Sequence, residues 1–231
     1  MNWNENEKQK SLWNGEISNL EEKERIAKKL AEKVKDGDVI GVGSGSTAYL
    51  ATKAIAERMK KEKLNITAIP TSYEIRMLCE NLGIPTTTLI AQKPDWAFDG
   101  ADEVNDKNWL VKGRGGAMYN EKLNIAASKL TYILVDNSKM VENICDKFPI
   151  PVEVNPEAIN LVREKLIEMG AKSVVLRLAK GKDGPVITEN GNIILDVIFR
   201  NVDETYENKL KSIVGVVETG LFIGYPVVIE K

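Results

Sequence analysis

The chain has 231 residues, of which 43% are hydrophobic and 29% charged, and it contains no histidine. Its length fits one large domain or a domain with a small companion, and the missing imidazole excludes Ser-His-Asp and Cys-His catalysis and histidine-ligated metal sites. Because 32 basic residues balance 34 acidic ones, the composition also argues against a general nucleic-acid-binding surface.

Residues 1–19 show no clear period and are interpreted as an N-terminal extension. A capping box at 18–21 then opens a helix that Gly37 ends. Strands are predicted at 39–42, 65–69, 86–90, 95–98, 109–111 and 131–135. Helices are predicted from the loop at 43–47 to about 61, from a second capping box at 71–74 to 83, and over 117–129. This alternation predicts a Rossmann-like, mostly parallel α/β sheet with helices on both faces, which binds ligands at the carboxyl ends of its strands.

Two prolines within 149–151 predict a domain crossing. The elements that follow, at 152–154, 156–169, 173–179, 192–198, 203–212 and from 216 onward, have the order βαββαβ of a smaller ferredoxin-like α+β unit. The apolar segment 225–229 is expected to rejoin the first sheet. The expected division is an extension at 1–19, a Rossmann-like catalytic domain of residues 20–148 and 217–231, and a ferredoxin-like domain at 149–216.

Cysteine usage and the N-terminal sequence indicate a cytoplasmic protein. Cys79 and Cys145 lie in no C-x-x-C or metal-ligand spacing, which is typical of free thiols in a reducing compartment. The first residues are polar and acidic, unlike a signal peptide, and no run reaches the roughly 18 apolar residues of a membrane span. We therefore expect no contact with a membrane.

The sequence GVGSGST at 41–47 follows the first strand and precedes a helix. Glycine lets backbone N–H groups approach an anion, and the helix N-terminus adds partial positive charge. The spacing matches neither a Walker loop nor a dinucleotide fingerprint, which leaves a mononucleotide or a sugar phosphate. A tight turn in which Ser46 or Thr47 is only an N-cap is the alternative, but the combination of three glycines and two hydroxyls favours an anion site.

Two further loops concentrate charge. Asp99, Asp102 and Glu103 could divide acid and base roles, coordinate Mg²⁺ or form a solvated acidic turn. Lys112 enters the glycine-rich loop 112–116, which can offer a cation and backbone donors to a substrate oxygen.

Glu121 falls near the start of the next helix and can point back toward that loop. It would act as a base toward a carbon acid if water is excluded, or it is a helix-start carboxylate stabilised by the helix dipole. Lys139 is either an exposed lysine or a second cation for a phosphate or hydroxyl.

Together these segments resemble type A ribose-5-phosphate isomerase from about residue 20 to the C-terminus. The resemblance lies in GVGSGST at 41–47, DGADE at 99–103, KGRGG at 112–116 followed by Glu121 and Lys122, D-x-SK at 136–139, and FPIPVEV at 148–154. It implies a cofactor-free and metal-free interconversion of D-ribose 5-phosphate and D-ribulose 5-phosphate through a cis-enediolate. It also implies a place in the non-oxidative branch of the pentose phosphate pathway and a homodimer or homotetramer.

The resemblance further implies roles for individual residues. Glu121 would move the proton between C2 and C1, Asp99 would assist ring opening and proton transfer at the sugar oxygens, and Asp102 would hold hydroxyls. Lys112 would stabilise negative charge on oxygen. The implied substrate-binding residues are Ser44, Gly45, Ser46, Thr47, Gly100, Ala101, Gly113, Arg114, Gly115, Lys139 and Lys23.

The chain departs from the family pattern at three positions. Arg114 stands where glycine is usual, Ser44 where threonine is common, and Asn120 where arginine is common. An isomerase paralogue acting on another sugar phosphate would keep the same acid and base groups. A sugar-phosphate sensor would need a DNA-reading helix-turn-helix, which the acidic first forty residues do not offer. The phosphate loop and the short length count against an acyl- or CoA-transferase-like enzyme with a glutamate nucleophile.

Overall fold

The computed structural model describes Trp13 and residues 16–231, so most of the predicted extension lies outside the described residues. Within them, the helices α1 to α6 cover Leu20–Ala31, Ser46–Glu62, Tyr73–Leu82, Met118–Ala127, Ile159–Glu168 and Tyr206–Lys211. The strands β1 to β12 cover Val39–Val42, Thr67–Pro70, Trp96–Gly100, Glu103–Val104, Leu110–Val111, Thr131–Leu134, Ile150–Val154, Ser173–Leu176, Ile193–Ile198, Val216–Thr219, Leu221–Phe222 and Val227–Glu230. No helix among these is long and apolar enough to cross a bilayer.

Five parallel strands form the main sheet in the order β12-β6-β3-β1-β2. One face packs against α1 and α2, where Ile26 and Leu30 belong to the same buried cluster as Ile40 and Phe98. The opposite face is covered by α4, whose Ile125 packs in a second cluster. The predicted fold class is confirmed, and so is the return of the C-terminal segment to this sheet as β12.

The strand predicted at 86–90 is wrong. Only Thr86 pairs, in a single bridge with Ala68, and the chain turns away where Ala91 N–H donates to the Thr88 carbonyl. The prediction relied on β propensity, which stabilises a strand only where a neighbouring strand supplies pairing and packing. Ile90, almost fully exposed, has neither.

Both predicted capping boxes also need correction. At the start of α1 the N-cap is Asn19, in a left-handed conformation and without a side-chain cap, while the Ser18 hydroxyl accepts from Nζ of Lys23. At α3 the N-cap is Ser72, whose Oγ accepts from the Ile75 N–H. The Ser18 hydroxyl is thus engaged by a residue five positions along the chain. The predicted cap Thr71 instead contacts Ser44, with the two hydroxyl oxygens 2.8 Å apart.

A four-stranded antiparallel sheet follows, in the order β10-β7-β9-β8. With α5 and α6 it has the βαββαβ order expected of the ferredoxin-like unit. A small antiparallel sheet, β11-β5-β4, was not predicted. Its middle strand β5 is the strand predicted at 109–111, which was wrongly expected in the parallel sheet, whereas β4 and β11 are too short to carry a pattern. The exact domain boundaries stay a prediction.

Lys122 joins α4 to the ferredoxin-like unit. Its Nζ is buried and lies 2.7 Å from Oε1 of Glu207 and 2.9 Å from Oε1 of Glu218. It also donates to the carbonyls of Thr219 and Leu221. Because Lys122 follows Glu121 directly, these contacts fix the segment of α4 that carries the predicted base.

Replacing Lys122 with methionine tests this connection. Met fills a similar volume but removes the ammonium group from Glu207 and leaves Glu218 with only its more exposed partner Lys211. The free energy of unfolding should therefore fall by about 3 to 5 kcal/mol, as measured by urea denaturation. Lys165→Met, which removes an exposed ion pair with Glu168, is the matched control and should leave stability nearly unchanged. Equal effects of the two variants would show that the buried contacts of Lys122 do not stabilise the fold.

Candidate active site

The loops that follow β1, β3 and β6 border one cavity of about 610 Å³. Parallel strands bring such loops to the same sheet edge, and the loop 112–116 joins them from β5. Every predicted site residue except Asp99 lines the cavity: Lys23, Ser44, Gly45, Ser46, Thr47, Gly100, Ala101, Asp102, Lys112, Gly113, Arg114, Gly115, Glu121 and Lys139.

The glycine loop presents an open helix end to this cavity. Gly45 is the N-cap of α2, and no side chain caps that helix, so the alternative in which Ser46 or Thr47 is only an N-cap is wrong. A Cβ at Gly43 would lie 2.1 Å from Cγ of Asp99, so a larger residue would displace that carboxylate. Backbone N–H groups and the helix dipole can therefore act on an anion here.

Two lysines lie at the same end of the cavity. Nζ of Lys23 is 3.2 Å from Oγ of Ser46 and 3.8 Å from Oδ2 of Asp136. Burial lowers the pKa of Lys23; Asp136 acts in the opposite direction, and the charge of Lys139 lowers the pKa further. A bound anion would favour the charged form of both lysines.

In the same cavity, one ammonium group lies between two buried carboxylates. Nζ of Lys112 is 3.0 Å from Oδ2 of Asp99 and 3.4 Å from Oε1 of Glu121, and it also donates to the Gly100 carbonyl. All three charged side chains are almost completely buried. Asp99 lies behind the cavity wall, where its Oδ1 accepts from two backbone N–H groups, whereas Glu121 reaches the cavity.

Burial sets the ionisation of this cluster. Loss of water raises the pKa of Glu121, and the negative charge of Asp99 raises it further against the opposing effect of Lys112. Burial raises the pKa of Asp99 as well. Burial opposes the charge on Lys112, but the adjacent carboxylates outweigh it and raise the pKa of Lys112. Glu121 is therefore a stronger base than an exposed glutamate, and it has a cation beside it.

The acidic side chains of the loop 99–103 lie in different surroundings. Asp102 lines the cavity, but Glu103 is fully buried elsewhere and accepts from the backbone N–H groups of Cys145, Lys147 and Phe148. Over residues 16–231 and Trp13, no group of three or more Asp, Glu, Cys or His side chains could hold a metal ion. The Mg²⁺ interpretation of the loop therefore has no ligand cluster there to support it.

The three departures from the family pattern lie in different surroundings. Oγ of Ser44 is 2.8 Å from Oγ1 of Thr71, and Nδ2 of Asn120 donates to the Thr71 carbonyl. Both side chains therefore contact the segment that leads into α3. Arg114 is exposed at the cavity wall, with its guanidinium 5.8 Å from the ring centroid of Phe148.

Several lining residues were not predicted. Glu74 reaches the cavity from α3, and burial raises its pKa, with Glu189 adding to the shift. Glu189 comes from the ferredoxin-like unit and accepts from the Tyr73 N–H at 3.0 Å. Neither belongs to a glycine loop, so local sequence carried no signal for them. The remaining lining residues that were not predicted are Trp13, Glu16, Ile17, Ser18, Ser72, Ala117, Leu134, Val135 and Asp136.

Comparison with known proteins identifies the family. The model of ribose 5-phosphate isomerase A (phosphoriboisomerase A) matches residues 67–230. The chain belongs to the ribose 5-phosphate isomerase A family. The ribose-5-phosphate isomerase A of Methanocaldococcus jannaschii is 46% identical over 209 residues, which cover 89% of this chain and 92% of that protein.

Solved structures of ribose 5-phosphate isomerase A agree with this assignment. The enzyme from Methanocaldococcus jannaschii superposes with a TM-score of 0.89 at 43% identity and covers 93% of this chain and 96% of its own. A D-ribose-5-phosphate isomerase in complex with phospho-erythronic acid superposes with a TM-score of 0.88 at 37% identity, over 91% of this chain and 94% of that one. The resemblance drawn from the sequence motifs is confirmed.

The close approach of Gly43 to the Asp99 side chain gives a test of the site geometry in this member of the ribose 5-phosphate isomerase A family. Gly43→Ala should push Asp99 away from Lys112 and lower kcat/KM for ribose 5-phosphate by about 100-fold, the effect of an ångström-scale misplacement. The control is Gly181→Ala, where a Cβ would meet nothing within 4 Å. Wild-type kcat/KM in Gly43→Ala would show that the contact between Gly43 and Asp99 is irrelevant to catalysis.

Proposed function

We propose that this protein interconverts D-ribose 5-phosphate and D-ribulose 5-phosphate through a cis-enediolate. One observation carries the proposal: the Glu121 carboxylate is buried beside Nζ of Lys112 and faces the same cavity as the open N-terminus of α2. A carbon acid needs a base excluded from water and a cation near the oxygen that gains charge. A phosphorylated sugar also needs an anion site at its far end.

The phosphate is proposed to bind at the glycine loop. Residues 44–47 supply backbone N–H groups and hydroxyls, while Lys23 and Lys139 supply positive charge. Such a site fixes the sugar by the end that does not react. The binding energy can then hold C1 and C2 beside the base.

Glu121 is proposed as the base that moves the proton. In the open-chain aldose, its carboxylate takes the proton from C2, and the C–H electron pair forms the C1–C2 double bond while the carbonyl π electrons move to O1. Lys112 stabilises the negative charge on oxygen. The O2 hydroxyl proton is then transferred to O1, the O2–H electron pair forms the C2 carbonyl, and the C1–C2 π pair takes the first proton back from Glu121 at C1.

The two aspartates are proposed to act differently. Asp102 lines the cavity and is proposed to hold sugar hydroxyls. The role of Asp99 at the sugar oxygens stays a prediction. Because its carboxylate lies behind the wall and contacts Lys112 at 3.0 Å, we propose that it also keeps Lys112 charged and oriented.

The ligand of a relative supports this assignment. Phospho-erythronic acid, which is in complex with one of the solved D-ribose-5-phosphate isomerases, combines a phosphate with a planar two-oxygen carboxylate. A cis-enediolate of a phosphopentose has the same pattern of charge. A sugar-phosphate sensor needs no buried base beside a lysine, so this arrangement favours catalysis over binding alone.

We further propose a cytoplasmic location, a place in the non-oxidative branch of the pentose phosphate pathway, and a homodimer or homotetramer without nucleic-acid or membrane partners. Cys79 and Cys145 are free thiols, which suits a reducing compartment. Family membership supports the proposals for pathway and assembly.

Glu121→Gln tests the proposed function. The variant should bind ribose 5-phosphate but lose about 100- to 10,000-fold in kcat, and solvent deuterium should no longer enter C1 or C2, as followed by NMR. Glu164→Gln, an exposed position on α5, is the control.

Solvent deuterium exchange at the wild-type rate in Glu121→Gln would contradict the assignment of Glu121 as the base. Loss of wild-type activity in EDTA would restore a role for Mg²⁺. A wild-type protein that binds but does not convert any aldose phosphate would favour the sensor.

A further inference from the structure

The loop 112–116 carries Lys112 but has little means of holding its own shape. Gly113 and Gly116 have φ values of +95° and +84°, and glycine-rich backbone is conformationally permissive. One backbone hydrogen bond closes the loop on itself, from Gly116 N–H to the Gly113 carbonyl. Two others tie only its ends to the rest of the protein, from Lys112 N–H to the Gly220 carbonyl and from Glu189 N–H to the Gly116 carbonyl. A stable loop therefore requires contacts from outside.

Arg177 supplies such contacts from the ferredoxin-like unit. It follows β8, and its Nη1 donates to the carbonyls of Gly113 at 3.0 Å and Arg114 at 2.8 Å. The other edge of the guanidinium faces Asp196 on β9, with Nε donating to Oδ2 at 2.9 Å and Nη2 to Oδ1. One planar group thus joins the sheet to two consecutive peptide units of the loop.

The arrangement requires a guanidinium. Arginine offers five donors in a fixed plane and can bind a carboxylate in a bidentate manner while donating elsewhere, whereas lysine is a single point charge. A trans peptide holds its C=O and N–H in opposite directions. Because the carbonyls of residues 113 and 114 point to Arg177, the N–H groups of residues 114 and 115 point away from it, and neither has an acceptor among the described residues.

We propose that Arg177, held by Asp196, is a positioning residue for the isomerisation: it fixes the loop 112–116 so that Lys112 stays beside Glu121 and the free N–H groups stay available to substrate oxygens. Arg177 does not line the cavity, so it acts through the loop. The inference rests on the proposed function. The proposal adds to the active site a residue of the ferredoxin-like unit, which contributes none of the glycine-rich loops.

The kinetic test compares Arg177→Ala with Arg177→Lys and with Arg200→Ala, an exposed arginine of the same unit. In Arg177→Ala, kcat for ribose 5-phosphate should fall by about 100-fold, as for a misplaced catalytic group. KM should rise by a smaller factor than kcat falls, because the phosphate loop follows β1 and, among the described residues, has no hydrogen bond to Arg177. Ethylguanidinium should restore kcat in a saturable way and ethylammonium should not. Arg177→Lys should remain impaired, and Arg200→Ala should match wild type.

Hydrogen exchange of the peptide around residues 110–118 provides a readout that needs no substrate. Exchange should be faster in Arg177→Ala and Arg177→Lys than in wild type and Arg200→Ala, with similar melting temperatures for Arg177→Lys and wild type. Unchanged exchange, or unchanged kcat, in both Arg177 variants would overturn the inference, and so would equal rescue by the ammonium compound. If wild type fails to isomerise ribose 5-phosphate, the proposed function is wrong, and the exchange result still decides whether Arg177 fixes the loop.

Discussion

The site depends on burying two carboxylates and a single ammonium group in one cluster. Asp99 and Glu121 both contact Nζ of Lys112, at 3.0 and 3.4 Å, away from water. Burying an ion costs several kcal/mol unless partners compensate, and one lysine cannot neutralise two carboxylates. The result is a base whose proton affinity is raised and a cation that stays charged beside it, which are the two requirements of proton transfer from a carbon acid.

Much of the surrounding structure holds these three groups in place. Gly43 leaves room for the Asp99 carboxylate, and two backbone N–H groups bind its Oδ1. Lys122, buried against acidic groups of the ferredoxin-like unit, anchors the helix that carries Glu121. Arg177 contacts the loop of Lys112 from the same unit. The smaller unit therefore supports both the base and the cation, although few of its side chains reach the cavity.

The sequence predicted the parts of the site that short, contiguous segments of the chain form. Glycine-rich loops after apolar strands are short patterns, and the rule that parallel strands share a carboxyl edge brings them together, which is why nearly all predicted residues line the cavity. Glu189 and Arg177 were missed because their roles arise from packing between units far apart in sequence. Two local predictions failed for different reasons. The Ser18 hydroxyl binds Lys23, five residues along the chain, instead of capping α1. The segment 86–90 has β propensity, but Ile90 is exposed and has no neighbouring strand to pack against.

The ionisation of Glu121 is the most direct test of this account. The carboxyl ¹³C shift of Glu121, assigned by its absence in Glu121→Gln, can be followed by NMR against pH in the free protein. Because burial and Asp99 raise the pKa of Glu121 to about 8, the carboxylate fraction should fall as the pH drops through that region, and Lys112→Met should move the midpoint higher still. A midpoint at or below the ordinary glutamate value of about 4.3, unaffected by Lys112→Met, would contradict the claim that this cluster sets the strength of the base.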